Sequence, residues 1–169
     1  MSIMFHSLSA GVCAILFSVI GLSNSRPHPS NFHQIGSKHL NKRASADTYV
    51  AYASGGIGEL QTYYNAATGL WDNAWWNSAN ALTMIADFQE CYPDKIIPTT
   101  NLIFPTTLAQ APKKFPGFIN DFYDDELWWV LAWIRVYDVT KDEKYLDVAA
   151  EIFESSKNAW GNTPCGGLW

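Results

Sequence analysis

Two segments that are apolar on almost every face constrain this fold more than any other feature of the chain. The segment from Tyr123 to Asp138 has a dense run of large apolar side chains: Leu127, Trp128, Trp129, Val130, Leu131, Trp133, Ile134 and Val136. The segment from Ala74 to Glu90 contains no charged residue before Asp87. A helix that is apolar all round has to be covered on all sides. Other helices must therefore surround these two segments.

The segments at either end of this region are amphipathic. Asp47 to Tyr64 has apolar residues at helical spacing, namely Tyr49, Ala53, Gly56/Ile57, Leu60 and Tyr63/Tyr64. In the segment Asp142 to Lys157, the inward face is predicted to carry Tyr145, Ala149, Ile152 and Phe153. The outward face is predicted to carry the acidic residues Glu143, Asp147, Glu151 and Glu154. Between the two apolar segments, Ile97 to Gln110 contains two prolines, which predict a short or kinked helix. Along the chain, the segments are amphipathic, apolar, uncertain, apolar and amphipathic. This order predicts an all-α fold with an inner ring of helices wrapped by an outer ring.

Short motifs recur along the chain. Trp75-Trp76-x-x-Ala79 returns 53 residues later as Trp128-Trp129-x-x-Ala132, and Gly69-Leu70-Trp71 returns as Gly167-Leu168-Trp169. The intervening stretches Ala66 to Asn73 and Pro112 to Asp121 are predicted to be loops. One interpretation is a repeat of helical hairpins of about fifty residues. The other is coincidence in a chain with 8 Trp.

Charge divides the chain at Arg43. Residues 1–43 hold four basic residues, no acidic residue and all four histidines. Residues 44–169 carry 7 Lys and Arg against 16 Asp and Glu, a net charge of -9, and no histidine. The second part therefore excludes Ser-His and Cys-His mechanisms and a His-ligated zinc. Acid–base chemistry there falls to carboxylates, and the acidic balance argues against a nucleic-acid partner.

The amino-terminal region predicts secretion. Residues 1–25 are identified as a signal peptide, because the uncharged core from Gly11 to Leu22 is too short for a membrane span and no stop-transfer pattern follows. Residues 26–43 end in Lys42-Arg43, which indicates a propeptide with a dibasic processing site; the alternative is a linker with a chance basic pair. Cys13 would leave with the leader. Cys91 and Cys165 would then pair with each other or with partners outside this chain.

An acidic run precedes the second apolar segment: Asn120-Asp121-Phe122-Tyr123-Asp124-Asp125-Glu126. Acids belong in the first turn of a helix, so one hypothesis makes Asp121 the N-cap with Asp124 in a capping-box position. The other is a carboxylate pair for glycoside hydrolysis, since a retaining enzyme needs two carboxyl groups about 5–5.5 Å apart. Adjacent Cα atoms lie about 3.8 Å apart, which allows that separation. Tryptophan faces would bind sugar rings or simply fill the core.

Four motifs in order along the chain resemble glycoside hydrolase family 76. They are Trp75-Trp76-Asn77-Ser78-Ala79-Asn80-Ala81-Leu82, the acidic run with its following Leu127-Trp128-Trp129, Ala132-Trp133-Ile134-Arg135-Val136-Tyr137-Asp138, and Cys165-Gly166-Gly167-Leu168-Trp169. The resemblance covers about residues 46–169. It implies an (α/α)6 barrel and the activity of a mannan endo-1,6-α-mannosidase or a related fungal cell-wall transglycosidase.

The resemblance also implies roles for individual residues. Asp124 matches the nucleophile and Asp125 the acid/base, with net retention of configuration. Six residues fall in motifs that line the family's cleft and are expected to contact substrate: Trp75, Trp76, Asn77, Asn120, Tyr123 and Trp128. The implied partner is α-1,6-mannan or a mannoprotein glycan, bound by a monomeric enzyme without metal or organic cofactor. The implied setting is mannan breakdown or remodelling of a fungal cell wall.

The length is short for that barrel. Six hairpins of about fifty residues need about 300 residues, whereas 126 follow Arg43. Residues 44–169 are therefore expected to be the N-terminal half of a catalytic domain, with about five of twelve helices. In isolation this segment is expected to fold poorly and to be inactive. The alternative function is a truncated, non-catalytic secreted remnant or wall-binding fragment. The intact Asp124-Asp125 pair favours the enzyme, whereas the missing half of the barrel favours the remnant.

Overall fold

A computed structural model describes residues 44–95 and 100–168 of the chain. The fold is all-α, an incomplete barrel of helical hairpins, and the described residues form five α-helices. These are α1 (Ala46–Gln61), α2 (Trp75–Cys91), α3 (Thr100–Gln110), α4 (Tyr123–Thr140) and α5 (Glu143–Ala159). Short 3₁₀ turns lie between them at Pro93–Lys95, Ala111–Lys113 and Pro116–Phe118. The predictions for residues 1–43 lie outside the described residues.

The predicted loop between α1 and α2 contains a small β-hairpin. Strands β1 (Tyr64–Asn65) and β2 (Leu70–Trp71) pair antiparallel. The turn requires Gly69, which has a φ of +69° and lies so close to α3 that a Cβ atom would meet the Thr107 Cα at 3.0 Å. Leu70 and Trp71 are buried. The hairpin thus places the start of α2 against the core.

The core lies where α4 packs between α2 and α5. Its centre is a continuous cluster of aromatic rings drawn from both apolar segments, the connecting loop and α5: Trp75, Phe115, Phe118, Trp129, Trp133 and Tyr145. Neighbouring ring centroids lie 4.8–5.9 Å apart, the range of favourable aromatic contacts. The two apolar segments therefore form the inner part of the fold, as their composition predicts.

A cluster of charged side chains joins α2 to α4 near the carboxyl-terminal end of α4. The Arg135 guanidinium contacts Asp87 Oδ1 through Nε at 2.5 Å, Asp138 Oδ2 through Nη1 at 2.9 Å, and Glu90 through Nη2. Burial by itself would lower the pKa of Arg135, but the hydrogen bonds and charges of Glu90 and Asp87 outweigh it and raise the pKa above its ordinary value. We call Arg135 with these three acids the arginine cluster.

Several side chains lie elsewhere than predicted. In α1 only Ile57 is buried, and Tyr49 and Tyr63 of the predicted apolar face are exposed. In α5 Tyr145, Ala149 and Ile152 face inward as predicted, whereas Phe153 is exposed. Both errors have one cause: periodicity identifies an apolar face, but the element that packs on it decides how wide the buried stripe is.

Two further predictions can be compared with the structure. The echo between Trp75-Trp76 and Trp128-Trp129 does not place equivalent side chains, because Trp75 is buried where Trp128 is exposed. Cys165 is exposed and free, so it does not pair with Cys91. In the described part of the chain, no helix has the length and apolar character of a membrane span.

Candidate active site

The loop that leads into α4 is fixed by a buried aromatic side chain. Gly117 and Phe118 both adopt left-handed backbone conformations, with φ values of 67° and 61°. That conformation is unfavourable for a bulky residue such as phenylalanine. The Phe118 ring, however, is buried against Trp75, Trp129 and Trp133. This packing offsets the strain and sets the direction in which Asn120 leaves the core.

The first turn of α4 is not capped as predicted. The N-cap residue is Phe122, with no capping hydrogen bond from its side chain, and Asp121 does not take this role. Instead Asn120 Oδ1 accepts a hydrogen bond from the Phe122 backbone N–H at 2.9 Å. Asn120 therefore satisfies the N–H of the N-cap residue itself, and Asp121 does not occupy the N-cap position that a capping box with Asp124 requires. The capping-box explanation of the acidic run is therefore wrong.

The two predicted catalytic carboxylates have different surroundings. Asp124 is exposed, whereas Asp125 is half-buried. Asn120 Nδ2 donates a hydrogen bond to Asp125 Oδ2 at 2.9 Å. Because Asn120 Oδ1 already holds the Phe122 N–H, the amide is fixed at both ends and Asp125 is held in one orientation. The structure thus brings Asn120, Asp124 and Asp125 together at one end of α4.

The sequence patterns predict no catalytic or binding role for a third carboxyl group, that of Glu126. Its side chain is completely buried. Glu126 Oε1 accepts the backbone N–H of Asn120 at 3.2 Å, and Oε2 accepts the Ser156 hydroxyl of α5 at 3.3 Å. Burial raises the pKa of Glu126, and the hydrogen bonds from Asn120, Ser156 and Ser155 offset part of that rise. The signal in the sequence is spacing: Glu126 lies three and seven residues before Trp129 and Trp133, on the buried face of α4.

The predicted substrate-contacting aromatics divide into two groups. Trp76 and Trp128, in the early turns of α2 and α4, are 43% and 40% exposed, so their ring faces are accessible. Trp75 is instead a core residue, 6% exposed and packed against Phe115, Phe118 and Trp129. The structure therefore assigns Trp75 to packing rather than to a sugar-binding surface.

The two remaining predicted contacts lie on the same helices. Asn77 is exposed in the first turn of α2, and Tyr123 is half-buried in the first turn of α4. As regards metals, the described ranges bring no three His, Cys, Asp or Glu side chains into an arrangement that would hold an ion. The chemistry available at this end of α4 is that of two adjacent carboxyl groups, an amide and a buried acid.

Adjacent carboxyl groups in the first turn of α4 and partly exposed tryptophans in the early turns of α2 and α4 are features that a glycoside hydrolase can use. The family model of Glycosyl hydrolase family 76 matches residues 41–169, and the chain belongs to this family. Comparison with curated proteins and with solved structures found no match. The assignment to a family therefore rests on the family model.

Proposed function

We propose that the protein is a secreted glycosidase that cleaves α-1,6-linked mannan with retention of configuration, a mannan endo-1,6-α-mannosidase. Membership of glycosyl hydrolase family 76 supports the glycosidase class. The observation that carries the mechanism is the unequal surroundings of two adjacent carboxyl groups, with Asp124 exposed and Asp125 half-buried and held by Asn120. A retaining glycosidase needs two carboxyl groups with different tasks.

In the first step, Asp124 attacks the anomeric carbon of a mannose unit. The bond between that carbon and the glycosidic oxygen breaks, and Asp125 donates its proton to the departing oxygen. In the second step, Asp125 removes a proton from water, which attacks the anomeric carbon and releases Asp124. A sugar hydroxyl in place of that water would give transglycosylation, the reaction expected of a cell-wall remodelling enzyme.

The geometry favours this division of tasks. Asp124 lies in the first turn of α4, where the positive end of the helix dipole stabilises a negatively charged nucleophile. The Asn120 amide occupies Asp125 Oδ2, which leaves Oδ1 to carry the transferred proton. Proton transfer depends on a well-defined position of the donor oxygen. The hydrogen bond from Asn120 to Asp125 Oδ2 fixes the position of the Asp125 carboxyl group.

Substrate binding is proposed to use the exposed tryptophans. The ring faces of Trp76 and Trp128 offer flat apolar surfaces to mannose rings, and Asn77 and Tyr123 offer polar groups nearby in sequence. A neutral polymannose needs no charge steering, so the acidic residue balance does not oppose it. The apolar leader and Lys42-Arg43 support secretion. The proposed enzyme acts as a monomer on mannan or mannoprotein glycans at the cell wall.

The test is an assay of the protein produced from its native gene, so that the natural chain is examined. Incubation with α-1,6-mannan should release shorter mannosides, and proton NMR should show the α-anomer as the first product. The Asp124→Asn variant should release none. A β-anomer as first product would contradict the retaining mechanism. Binding of mannan without turnover would indicate the non-catalytic wall-binding alternative instead.

A further inference from the structure

The buried Glu126 carboxyl takes no part in the two proposed chemical steps. It lies on the opposite side of the first turn of α4 from the exposed Asp124 and is fully buried. Burying a carboxyl group in the interior of a protein is unfavourable unless its oxygens receive hydrogen bonds. An apolar residue of the same volume would pack there at lower cost in free energy. The presence of an acid at this position therefore requires another reason.

The contacts of Glu126 supply one. One oxygen receives the backbone N–H of Asn120 and the other the hydroxyl of Ser156, which lies on α5. The side chain of the same Asn120 then donates to Asp125 Oδ2. Four groups are thus joined in series from α5 to the proposed acid/base: Ser156, Glu126, Asn120 and Asp125. We call this series the Glu126 relay of contacts.

From this series we propose that Glu126 is a positioning residue, which fixes the orientation of Asp125 by holding the backbone of Asn120. The proposal rests on the proposed function, in which Asp125 is the proton donor. Glu126 acts here as an acceptor of hydrogen bonds, not as a charge. No Lys or Arg among the described residues forms a salt bridge with Glu126, and the groups that face it are the Asn120 N–H and the hydroxyls of Ser155 and Ser156.

Two variants of Glu126 distinguish the loss of its hydrogen-bond acceptors from the loss of its negative charge. Glu126→Met keeps the volume and removes both acceptor oxygens. Glu126→Gln keeps an acceptor for the Asn120 N–H, and its amide nitrogen can donate to Ser156. Glu151→Met is the matched control, because Glu151 is an exposed glutamate on α5. All three are made in the protein produced from its native gene.

Two substrates separate positioning of a proton donor from general damage to the structure. Mannan has a poor leaving group that needs the proton, whereas an aryl α-mannoside with an acidic phenol does not. Glu126→Met should lose about 10- to 100-fold in kcat on mannan, the usual loss when an orienting partner is removed, and less than about 3-fold on the aryl substrate. Glu126→Gln should recover activity on mannan to within about 3-fold of the parent. Glu151→Met should match the parent on both.

A double-mutant cycle tests whether the effect passes through Asn120. In an Asn120→Ala background the link to Asp125 is already cut, so Glu126→Met should cause no further loss on mannan. Equal losses on both substrates, failure of Glu126→Gln to recover activity, or independent effects of the two substitutions would each overturn the proposal. Should Glu126→Met fail to fold, Ser156→Ala should give a loss of about 3- to 10-fold on mannan alone, and equal loss on both substrates would overturn the proposal.

A readout without activity distinguishes failure of this inference from failure of the proposed function. A parent protein that hydrolyses neither substrate contradicts the proposed function. Hydrogen exchange at the Asn120 amide then still tests the contact: Glu126→Met should reduce its protection at least about 10-fold, while amides in the middle of α2 are unchanged. Unchanged protection at Asn120 would overturn the role of Glu126 even in an active enzyme.

Discussion

Two clusters of carboxyl groups lie along α4, and they differ in whether a cation pairs with the acids. At the amino-terminal end, Asp124, Asp125 and Glu126 form no salt bridge with any Lys or Arg in the part of the chain that the structure describes. The oxygens of Asp125 and Glu126 accept hydrogen bonds from neutral donors of Asn120 and Ser156. In the arginine cluster near the other end, three acids surround one guanidinium group.

The difference separates acids that hold the fold from acids available for chemistry. The negative charge of an acid that is paired with arginine is balanced by the positive charge of its partner. In the arginine cluster, such pairs link α2 to α4. Partly buried acids without a cation are unfavourable for stability, and such groups occur where an enzyme needs reactive carboxyls. The amino-terminal cluster therefore has to be supported by packing, which the ring cluster of Phe118, Trp129 and Trp133 provides.

The comparison is tested most severely by neutralising one acid from each cluster. Asp125→Asn should reduce kcat on mannan by about 10²- to 10⁴-fold, the contribution of a general acid, with little change in the free energy of unfolding. Asp138→Asn should leave kcat on mannan unchanged, because Asp138 pairs with Arg135 and lies 13 residues further along α4 than Asp125. Steady-state kinetics and urea unfolding on the same two variants provide the measurement. Equal activity of Asp125→Asn and the parent would remove Asp125 from the mechanism.

A second prediction concerns the packing under the amino-terminal cluster. Trp129 is fully buried, whereas its neighbour Trp128 is 40% exposed. Trp129→Ala should lower the free energy of unfolding by about 3–5 kcal/mol, because it leaves a cavity among the rings. Trp128→Ala should mainly weaken mannan binding and raise KM. If Trp128→Ala were the more destabilising of the two, the division between packing and binding tryptophans would be wrong.

The third prediction removes the cation from the arginine cluster. Arg135→Met leaves Asp87, Glu90 and Asp138 without their shared partner, so the free energy of unfolding should fall by about 2–3 kcal/mol. The control is Lys157→Met, which breaks the exposed pair with Glu154 and should cost about 0.5 kcal/mol or less. Chemical unfolding measures both. Equal losses in the two variants would show that the arginine cluster is no more than a surface feature.

The sequence predicts the helices well and the contacts of single residues less well. The segments 74–90 and 123–138 coincide closely with α2 and α4, because a strong apolar pattern is a local property of the chain. The sequence pattern does not predict the two-residue strands at Tyr64–Asn65 and Leu70–Trp71, since so short a pairing is determined by docking on α3. The exposed position of Phe153 differs from its predicted inward position for a similar reason.

The site shows the same limit. The acidic run and its position at the start of a helix are readable from the sequence, and so is the choice between a cap and a functional cluster. The sequence does not show that Asn120, six residues ahead of Glu126, bonds both the Glu126 carboxyl group and the N–H of the N-cap residue Phe122. Nor does it show that Ser156 reaches Glu126 from α5. Both contacts depend on how the loop leaves the aromatic core.

The last prediction, with the smallest effect, concerns pH and again contrasts the two clusters. Burial raises the pKa of Glu126 above its ordinary value of 4.5. The folded protein therefore binds this proton more tightly than the unfolded chain does, so the stabilising contribution is complete below the ordinary value. That contribution is lost as the pH rises from 4.5 through the folded-state value. In Glu126→Gln nothing titrates at this position, and the decrease should disappear.

The measurement is the free energy of unfolding of the parent and Glu126→Gln, followed from below pH 4.5 upward. The difference between the two proteins should change with pH in the stated direction, since Glu126→Gln leaves all other titrating groups in place. Glu90→Gln in the arginine cluster is the control for replacing a carboxyl group by an amide where the carboxyl is paired with Arg135. If the parent instead gained stability over Glu126→Gln as the pH rose, hydrogen bonding to the charged carboxylate would outweigh burial, and Glu126 would belong with the compensated acids.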